Sequence, residues 1–467
     1  MGDRRMKWFF LAAALATPQI AAAADAPAHL SLVAGYKAAF VCSARFNAGR
    51  TLEEIEDDEL HRIYPDYREA MARLPDPVID DEKKTVTVAF ADGFPPRIAS
   101  WRPFLGCVQS PSGATESVKA PRLARRAAPD NADRPWPVGD RLDREVFADT
   151  PQGFNLAGVV ADAFDRKTYG AGTETTAVLV IENGTIVAEK YRDGFDMNTP
   201  QRTWSVAKSI AATIVGAAVE DGLVDIDAPA GLSQWRGEGD PRGAITLRHL
   251  LQMASGLDST PAGNRTDNVY FGGGRVIDHA ATRRLVSVPG STWVYANNDT
   301  MLAMRALRER MKSEKAYLSY PFEQVLDPLG MDHTFLETDW NGDFIASSQV
   351  WTTARDLARI GLLYLADGMW NGKRILPEDW AAFVATPAPA QPPETGAPRP
   401  GYGAQFWLYG EEHGLPKGTY AARGNRGQFL VIIPQRNVLI VRRGFDDGGG
   451  FDIARFSADV LKTLETN

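Results

Sequence analysis

The sequence predicts an α/β protein of the α+β kind, in which residues 146–467 form one antiparallel sheet packed on helices. Two hairpins and the helices between them lead to that reading. TTAVLVIENGTIVAEKY holds two alternating apolar runs joined at Asn183-Gly184, a strong hairpin signal. GQFLVIIPQRNVLIVRRG, near the other end, turns at Pro434–Asn437. Helical spacing marks 203–221, 246–254, 353–368 and 377–385, and a final helix starts near Asp452. Strands at both ends of a domain with helices between them can pair into one sheet packed on those helices.

Three segments precede that domain. Arg4, Arg5 and Lys7 lead into WFFLAAALA, and small residues run from Ala21 to Ala24, so residues 1–24 read as a signal peptide. Its apolar run is too short to span a bilayer, and no other long apolar stretch occurs. The mature chain is therefore expected to be exported, periplasmic or secreted, with no stable membrane span. Residues 25–117 read as a small accessory segment: RTLEEIEDDELHRIYPDYREAMARL is helical with a break at Pro65, and KKTVTVAFADG alternates like a strand. This segment holds the chain's two cysteines, Cys42 and Cys107. An oxidising compartment lets them pair, and closing so long a loop stabilises a fold by about 4 kcal/mol. The Pro/Arg-rich stretch 118–145 reads as a solvated linker. A formal charge of −8 gives no case for nucleic acid, and no CxxC or His/Cys spacing calls for a metal or cofactor.

Chemistry enters at TWSVAKSIAATIVGAAVEDG, residues 203–222. Residues three apart share a helix face, so Ser205 and Lys208 can touch. A capping box would place Glu or Gln three residues after the serine, and here there is lysine. That lysine is unfavourable beside first-turn N–H groups but useful to a nucleophile. Burial and positive potential lower its pKa, letting it take the serine proton. The same N–H groups can hold an oxyanion. In WVYANNDTMLAM, Tyr295 and Asn297 point the same way along an extended segment, just before a helix. A tyrosine close to a lysine ammonium ionises more readily and relays protons, while the asparagine can hold the lysine or a substrate amide. In ARGNRGQFLVIIP, Gly424 and Gly427 flank Asn425 and Arg426 ahead of an apolar strand; glycine allows close backbone approach to a ligand. No G-x-S-x-G elbow is present, and His249 reads as a packed or capping residue rather than a base.

Together these elements resemble the serine β-lactamase-like hydrolases, a family of class C β-lactamases, D-alanyl-D-alanine carboxypeptidases, esterases and 6-aminohexanoate-dimer hydrolases. The order S-V-A-K, Y-A-N and a glycine-containing strand motif carries the likeness, with TLRHLLQMASGL, LDPLGMDHTFLETD and SSQVWTTARDLARIGLLYL as further landmarks. The resemblance implies a β-lactamase/transpeptidase-like fold, an antiparallel sheet flanked by helices plus a mostly helical region, with the site between them. It implies Ser205 as the acylated nucleophile, Lys208 and Tyr295 sharing base and acid work, and Asn297 orienting Lys208 or substrate. The backbone N–H groups of Ser205 and Asn425, beside Gly424, would form the oxyanion hole. Penicillin-recognising members carry Lys-Thr-Gly or His-x-Gly on the strand facing the nucleophile. Here GTYAARGNRGQ lacks that triad and is closest in form to the 6-aminohexanoate-dimer hydrolases, and Arg423 or Arg426 is left to meet a carboxylate. The leading expectation is hydrolysis of a small amide or ester. Alternatives are a penicillin-binding carboxypeptidase or β-lactamase, and a non-catalytic binding protein. Trp293, Trp340, Trp351, Trp407, Tyr270 and Tyr402 are candidates for lining a pocket, and loops 264–275 and 446–452 for its rim.

Overall fold

The computed structural model describes residues 26–61, 63–123, 131–143, 151–259, 266–393, 399–447 and 450–464. The leader lies outside these residues, as do 124–130 and 144–145 of the Pro/Arg-rich stretch and parts of both glycine-rich loops, 264–265 and 448–449.

Helix α1 (Pro27–Ala48) starts with proline in its first turn and stops at Gly49, whose φ of +68° lets its N–H reach the carbonyls of Ala44 and Arg45. The sequence reading missed this helix. Residues Val33 to Ala44 are buried nearly all round, so α1 carries no one-sided apolar stripe. One side packs on a four-stranded antiparallel sheet, β1 (Val78–Asp80), β2 (Thr85–Val88), β3 (Arg97–Arg102) and β4 (Gly106–Gln109). The other meets the main domain, where Tyr36 lies 4.8 Å from Phe271 and Phe40 lies 5.7 Å from Trp204. A disulfide joins Cys42 of α1 to Cys107 of β4. Between helix and sheet, short helical turns at Leu52–Ile55 and Glu56–Leu60 precede α2 (Pro65–Arg73), so Pro65 starts a helix rather than interrupting one.

The described part of the Pro/Arg-rich stretch is held against the main domain instead of lying in solvent. Trp136 Nε1 donates to the Gly184 carbonyl at 2.9 Å, and Arg359 donates to the carbonyls of Pro137 and Gly139 and to Asp140.

After α3 (Pro151–Asp162) come β5 (Thr175–Glu182), β6 (Thr185–Tyr191), the short β7 (Gln201–Arg202) and the central helix α4 (Val206–Glu220). The helical region includes α5 (Asn297–Arg310). It is followed by β8 (Phe335–Leu336), β9 (Val350–Thr352), α6 (Ala354–Leu365) and the small hairpin β10 (Met369–Trp370) and β11 (Lys373–Arg374). Then β12 (Gly401–Tyr402), β13 (Trp407–Tyr409), β14 (Thr419–Gly424), β15 (Gln428–Ile433) and β16 (Val438–Gly444) lead to α7 (Ile453–Leu464). The main sheet is antiparallel in the order β12-β13-β14-β15-β16-β5-β6, so strands from both ends of the domain do meet, at β16 and β5.

Alternation along β5 explains its unbroken apolar run. Ala177, Leu179 and Ile181 face the core that holds α4 and α6, while Val178 and Val180 face a second core with α3 and α7. Both faces are covered, so both sets are apolar. The β5–β6 turn uses Asn183 at φ +50° and Gly184 at φ +78°, the left-handed pair such a tight hairpin needs. Helix α4 is buried from Val206 to Ala218 and packs between β14 and α5, which places its N-terminus at the junction of sheet and helical region.

Candidate active site

Ser205 takes the N-cap position of α4, yet its side chain caps no first-turn N–H. Its hydroxyl is instead engaged by Lys208 Nζ at 3.1 Å. Two further acceptors surround Nζ, the Asn297 carboxamide oxygen at 2.7 Å and the Ser347 carbonyl at 2.8 Å. Lys208 is 1% exposed, and burial pulls its pKa from 10.5 down to about 7. A neutral amine has two hydrogens and one lone pair. Carbonyl-type oxygens can only accept, so Asn297 and Ser347 take the hydrogens and the lone pair is left to face the Ser205 hydroxyl.

Separate elements bring these groups together. Asn297 is the first residue of α5, which packs beside α4. Ser347 lies just before β9, and β9 is paired with β7, which leads straight to Ser205. The turn at Ser347 is steadied by Tyr270, whose hydroxyl meets Ser347 Oγ at 2.6 Å. The Nδ2 of Asn297 is buried with no acceptor among the described residues.

Tyr295 lies over the same centre, its ring centroid 4.9 Å from Lys208 Nζ. Burial pushes its hydroxyl up to about 12, against a smaller lowering by a hydrogen bond with Ser205. The expectation of an easily ionised tyrosine is therefore corrected. Desolvation of the buried phenol outweighs the lowering by the Ser205 hydrogen bond and by the nearby Arg423 charge.

Gly424 ends β14, and its lack of a side chain has a definite reason. A Cβ there would lie 2.3 Å from the Thr203 carbonyl and 3.2 Å from the Ser205 nitrogen. The close approach is to the backbone that carries Ser205, not only to a ligand. The N–H groups of Ser205 and Asn425 find no protein acceptor among the described residues. Each has a non-glycine neighbour in the left-handed region, Trp204 at φ +49° and Arg426 at φ +58°. Such a conformation costs roughly 1–2 kcal/mol per residue.

The two arginines of this motif part company. Arg423 lines the cleft, its guanidinium 5.3 Å from the Trp407 ring. Arg426 turns away and is buried against the accessory segment. The cleft has a volume of about 540 Å³ and reaches Ser205, Tyr295, Asn297, Gly424 and Asn425. Of the aromatic candidates, Trp293, Trp407 and Tyr270 line it; Tyr402 packs behind Trp293 at 5.5 Å, and Trp340 and Trp351 lie elsewhere. Tyr64, from the accessory segment, also lines it and carried no sequence signal. His249 is a cap: its Nδ1 accepts the Thr246 N–H, and its own N–H donates to Thr246 Oγ1, each at 3.2 Å. Among the described residues no cluster of three or more His, Cys, Asp and Glu forms a metal site, and no helix is long and apolar enough to cross a membrane.

The sequence pattern of the beta-lactamase family matches residues 160–442, more than half of the chain. A 6-aminohexanoate-dimer hydrolase of Paenarthrobacter ureafaciens is 27% identical over 290 residues, 58% of this chain and 72% of that protein. Among solved structures, a protein assigned as a 6-aminohexanoate-dimer hydrolase from Bacillus anthracis aligns with a TM-score of 0.54 at 23% identity. That alignment covers 65% of this chain and 81% of that one. A class C β-lactamase gives 0.51 at 14% identity, over 69% and 100%. The last two likenesses show a common fold. The chain belongs to the beta-lactamase family and is a serine hydrolase.

Proposed function

We propose that this hydrolase is exported and cleaves a small amide or ester through an acyl-enzyme on Ser205. The observation that carries the reading is Lys208, buried, 3.1 Å from Ser205 Oγ, with its other hydrogen-bonding directions taken by Asn297 and Ser347. With its pKa lowered to about 7, Lys208 is a base for the serine proton at neutral pH. Ser205 Oγ attacks the carbonyl carbon, and the N–H groups of Ser205 and Asn425 receive the developing oxyanion. The proton taken by Lys208 leaves on the departing amine or alkoxide, passed through the Tyr295 hydroxyl. Water then repeats the sequence on the acyl group, and Ser205 recovers its hydrogen. Asn297 Nδ2 is placed to donate to a substrate carbonyl. Export rests on the leader pattern and on the Cys42–Cys107 pair.

A second reading, a carboxylate-bearing substrate such as a penicillin or a D-alanyl-D-alanine peptide, has one supporting observation. Arg423 stands at the cleft wall with no carboxylate partner among the described residues. The test is a panel of p-nitrophenyl esters, linear amides, β-lactams and D-alanyl-D-alanine peptides, run beside Ser205→Ala and with fluorophosphonate labelling. Turnover and labelling that vanish in Ser205→Ala support the acyl-enzyme. Turnover that survives the substitution refutes it. Stable acylation by fluorescent penicillin selects the second reading.

A further inference from the structure

Both N–H groups of the expected oxyanion hole adjoin a left-handed, non-glycine residue. At each the accessory segment supplies part of the restraint, beside main-domain contacts such as the Arg426 carbonyl, which accepts from the Asp446 N–H at 3.2 Å and from Gln428 Nε2 at 3.1 Å. Such backbone persists only where its surroundings hold it. Arg426, following Asn425, sends its guanidinium into the accessory segment and donates from Nη2 to the Asp58 carbonyl at 2.6 Å and from Nη1 to the Glu59 carbonyl at 3.4 Å. The Glu59 carboxylate stands 3.7 Å from Nη1. These carbonyls lie near the end of the helical turn Glu56–Leu60, where partial negative charge suits a cation. That turn is itself fastened, since the Asp58 carboxylate receives Arg50 at 2.7 Å and Arg192 at 2.6 Å. Trp204, preceding Ser205, packs 5.7 Å from Phe40 of α1 and 6.2 Å from Tyr64. The Arg202 guanidinium lies 4.0 Å from the Trp204 ring and 4.4 Å from that of Phe40.

A buried guanidinium is costly unless fully engaged, and an apolar side chain would fill the same space at less cost. What an arginine adds is direction: two carbonyls accept from it, with the Glu59 carboxyl group 3.7 Å away, and together they favour one placement of residue 426 and of the Asn425 N–H.

We propose that the accessory segment is a positioning part of the active site. It holds Asn425 through the Arg426 clamp and Ser205 through Trp204, so that both N–H groups converge on one oxyanion. This rests on the acyl-enzyme reading above. Arg426 is thus a positioning residue, and its loss bears on the transition state more than on ground-state binding.

The experiment uses the full chain, with p-nitrophenyl butyrate as substrate and phenylboronic acid as the tetrahedral probe, on the parent, Arg426→Ala and Arg426→Lys. Arg426→Ala is expected to lower kcat roughly 10- to 100-fold, a part of what losing an oxyanion donor costs, with KM changed less than about twofold. The boronic acid inhibition constant rises by a similar factor, and Arg426→Lys, which keeps a cation for the carbonyls, recovers part of both. If Arg426→Ala fails to fold, Arg426→Gly accepts the left-handed φ without strain and is expected to show the same kcat loss. A kcat and an inhibition constant within twofold of the parent, with only a lower melting temperature, overturn the proposal. Ser205→Ala separates the two readings. If it is dead while the Arg426 variants match the parent, only the accessory-segment proposal fails. If it still turns over, the acyl-enzyme reading fails and takes this one with it.

Discussion

The Asn297 carboxamide oxygen lies 2.7 Å from Lys208 Nζ, and this contact helps set which way the amine's lone pair faces. A neutral acceptor leaves the lysine free to lose a proton, whereas a carboxylate would not. Asn297→Asp places negative charge against Nζ and favours the ammonium, raising the lysine pKa by about 1–3 units. The pH profile of kcat/KM should show an acid limb near 7 in the parent, following Lys208. In Asn297→Asp that limb should move up by at least about one unit. An unmoved limb would assign the titration to another group.

The same lysine makes stability depend on pH. Its folded pKa of about 7 lies below the ordinary 10.5. Between those values the unfolded chain holds a proton that the folded chain lacks, so stability rises with pH across the window, by up to about 1.4 kcal/mol per unit. Lys208→Met has no such dependence, and the acceptors it abandons cost the same at every pH. The unfolding free energy of the parent relative to Lys208→Met, from urea titration, should therefore increase by about 2 kcal/mol from pH 7 to 9. A difference that stays flat would mean that Lys208 remains charged in the folded state.

Gly424→Ala tests the contact between the β14 end and the nucleophile's backbone. The new methyl would sit 2.3 Å from the Thr203 carbonyl, so one of the two segments must move. Overpacking of this kind costs about 1–3 kcal/mol, and the movement separates the Ser205 and Asn425 N–H groups. Esterase assays should show kcat down by more than about tenfold, in proportion to the oxyanion stabilisation lost, with fluorophosphonate labelling slowed by a like factor. Unchanged labelling would show that residue 424 can shift without disturbing the hole.

The parts of this site that were legible in the sequence are those set by local spacing. Ser205 and Lys208 are three apart on one helix, and Tyr295 and Asn297 stand at the entrance to another. The Ser347 carbonyl was not legible, because a backbone acceptor leaves no mark on residue type. Tyr64 was hidden because it belongs to a segment with no catalytic pattern. Arg426, read beside Arg423 as a possible partner for a carboxylate, turns away from the motif that contains it, a direction that residue type does not encode. In the fold, the β5–β6 and β15–β16 hairpins of the main sheet announced themselves through alternation and turn residues. Helix α1 did not, since a helix buried on all sides has no stripe to find. The tyrosine's acidity depended on its own burial, which local spacing does not reveal.

Tyr295→Phe should separate substrates by their leaving groups. With its hydroxyl pushed up to about 12, Tyr295 holds its proton throughout the working range, so in the proposed mechanism it is a donor rather than a base. A departing p-nitrophenolate is stable as an anion and needs no proton, whereas an alkylamine cannot leave without one. Loss of general-acid help typically costs 10²–10⁴-fold. Tyr295→Phe is therefore expected to lower kcat/KM for an alkyl amide by roughly 10²-fold or more and for a p-nitrophenyl ester by less than about tenfold. The parent profile should also stay level from about pH 8 to 10, because no tyrosinate forms there. Equal losses on both substrates would place Tyr295 on the nucleophile's side of the reaction, keeping the Ser205 hydroxyl aligned with Lys208 instead of protonating what leaves.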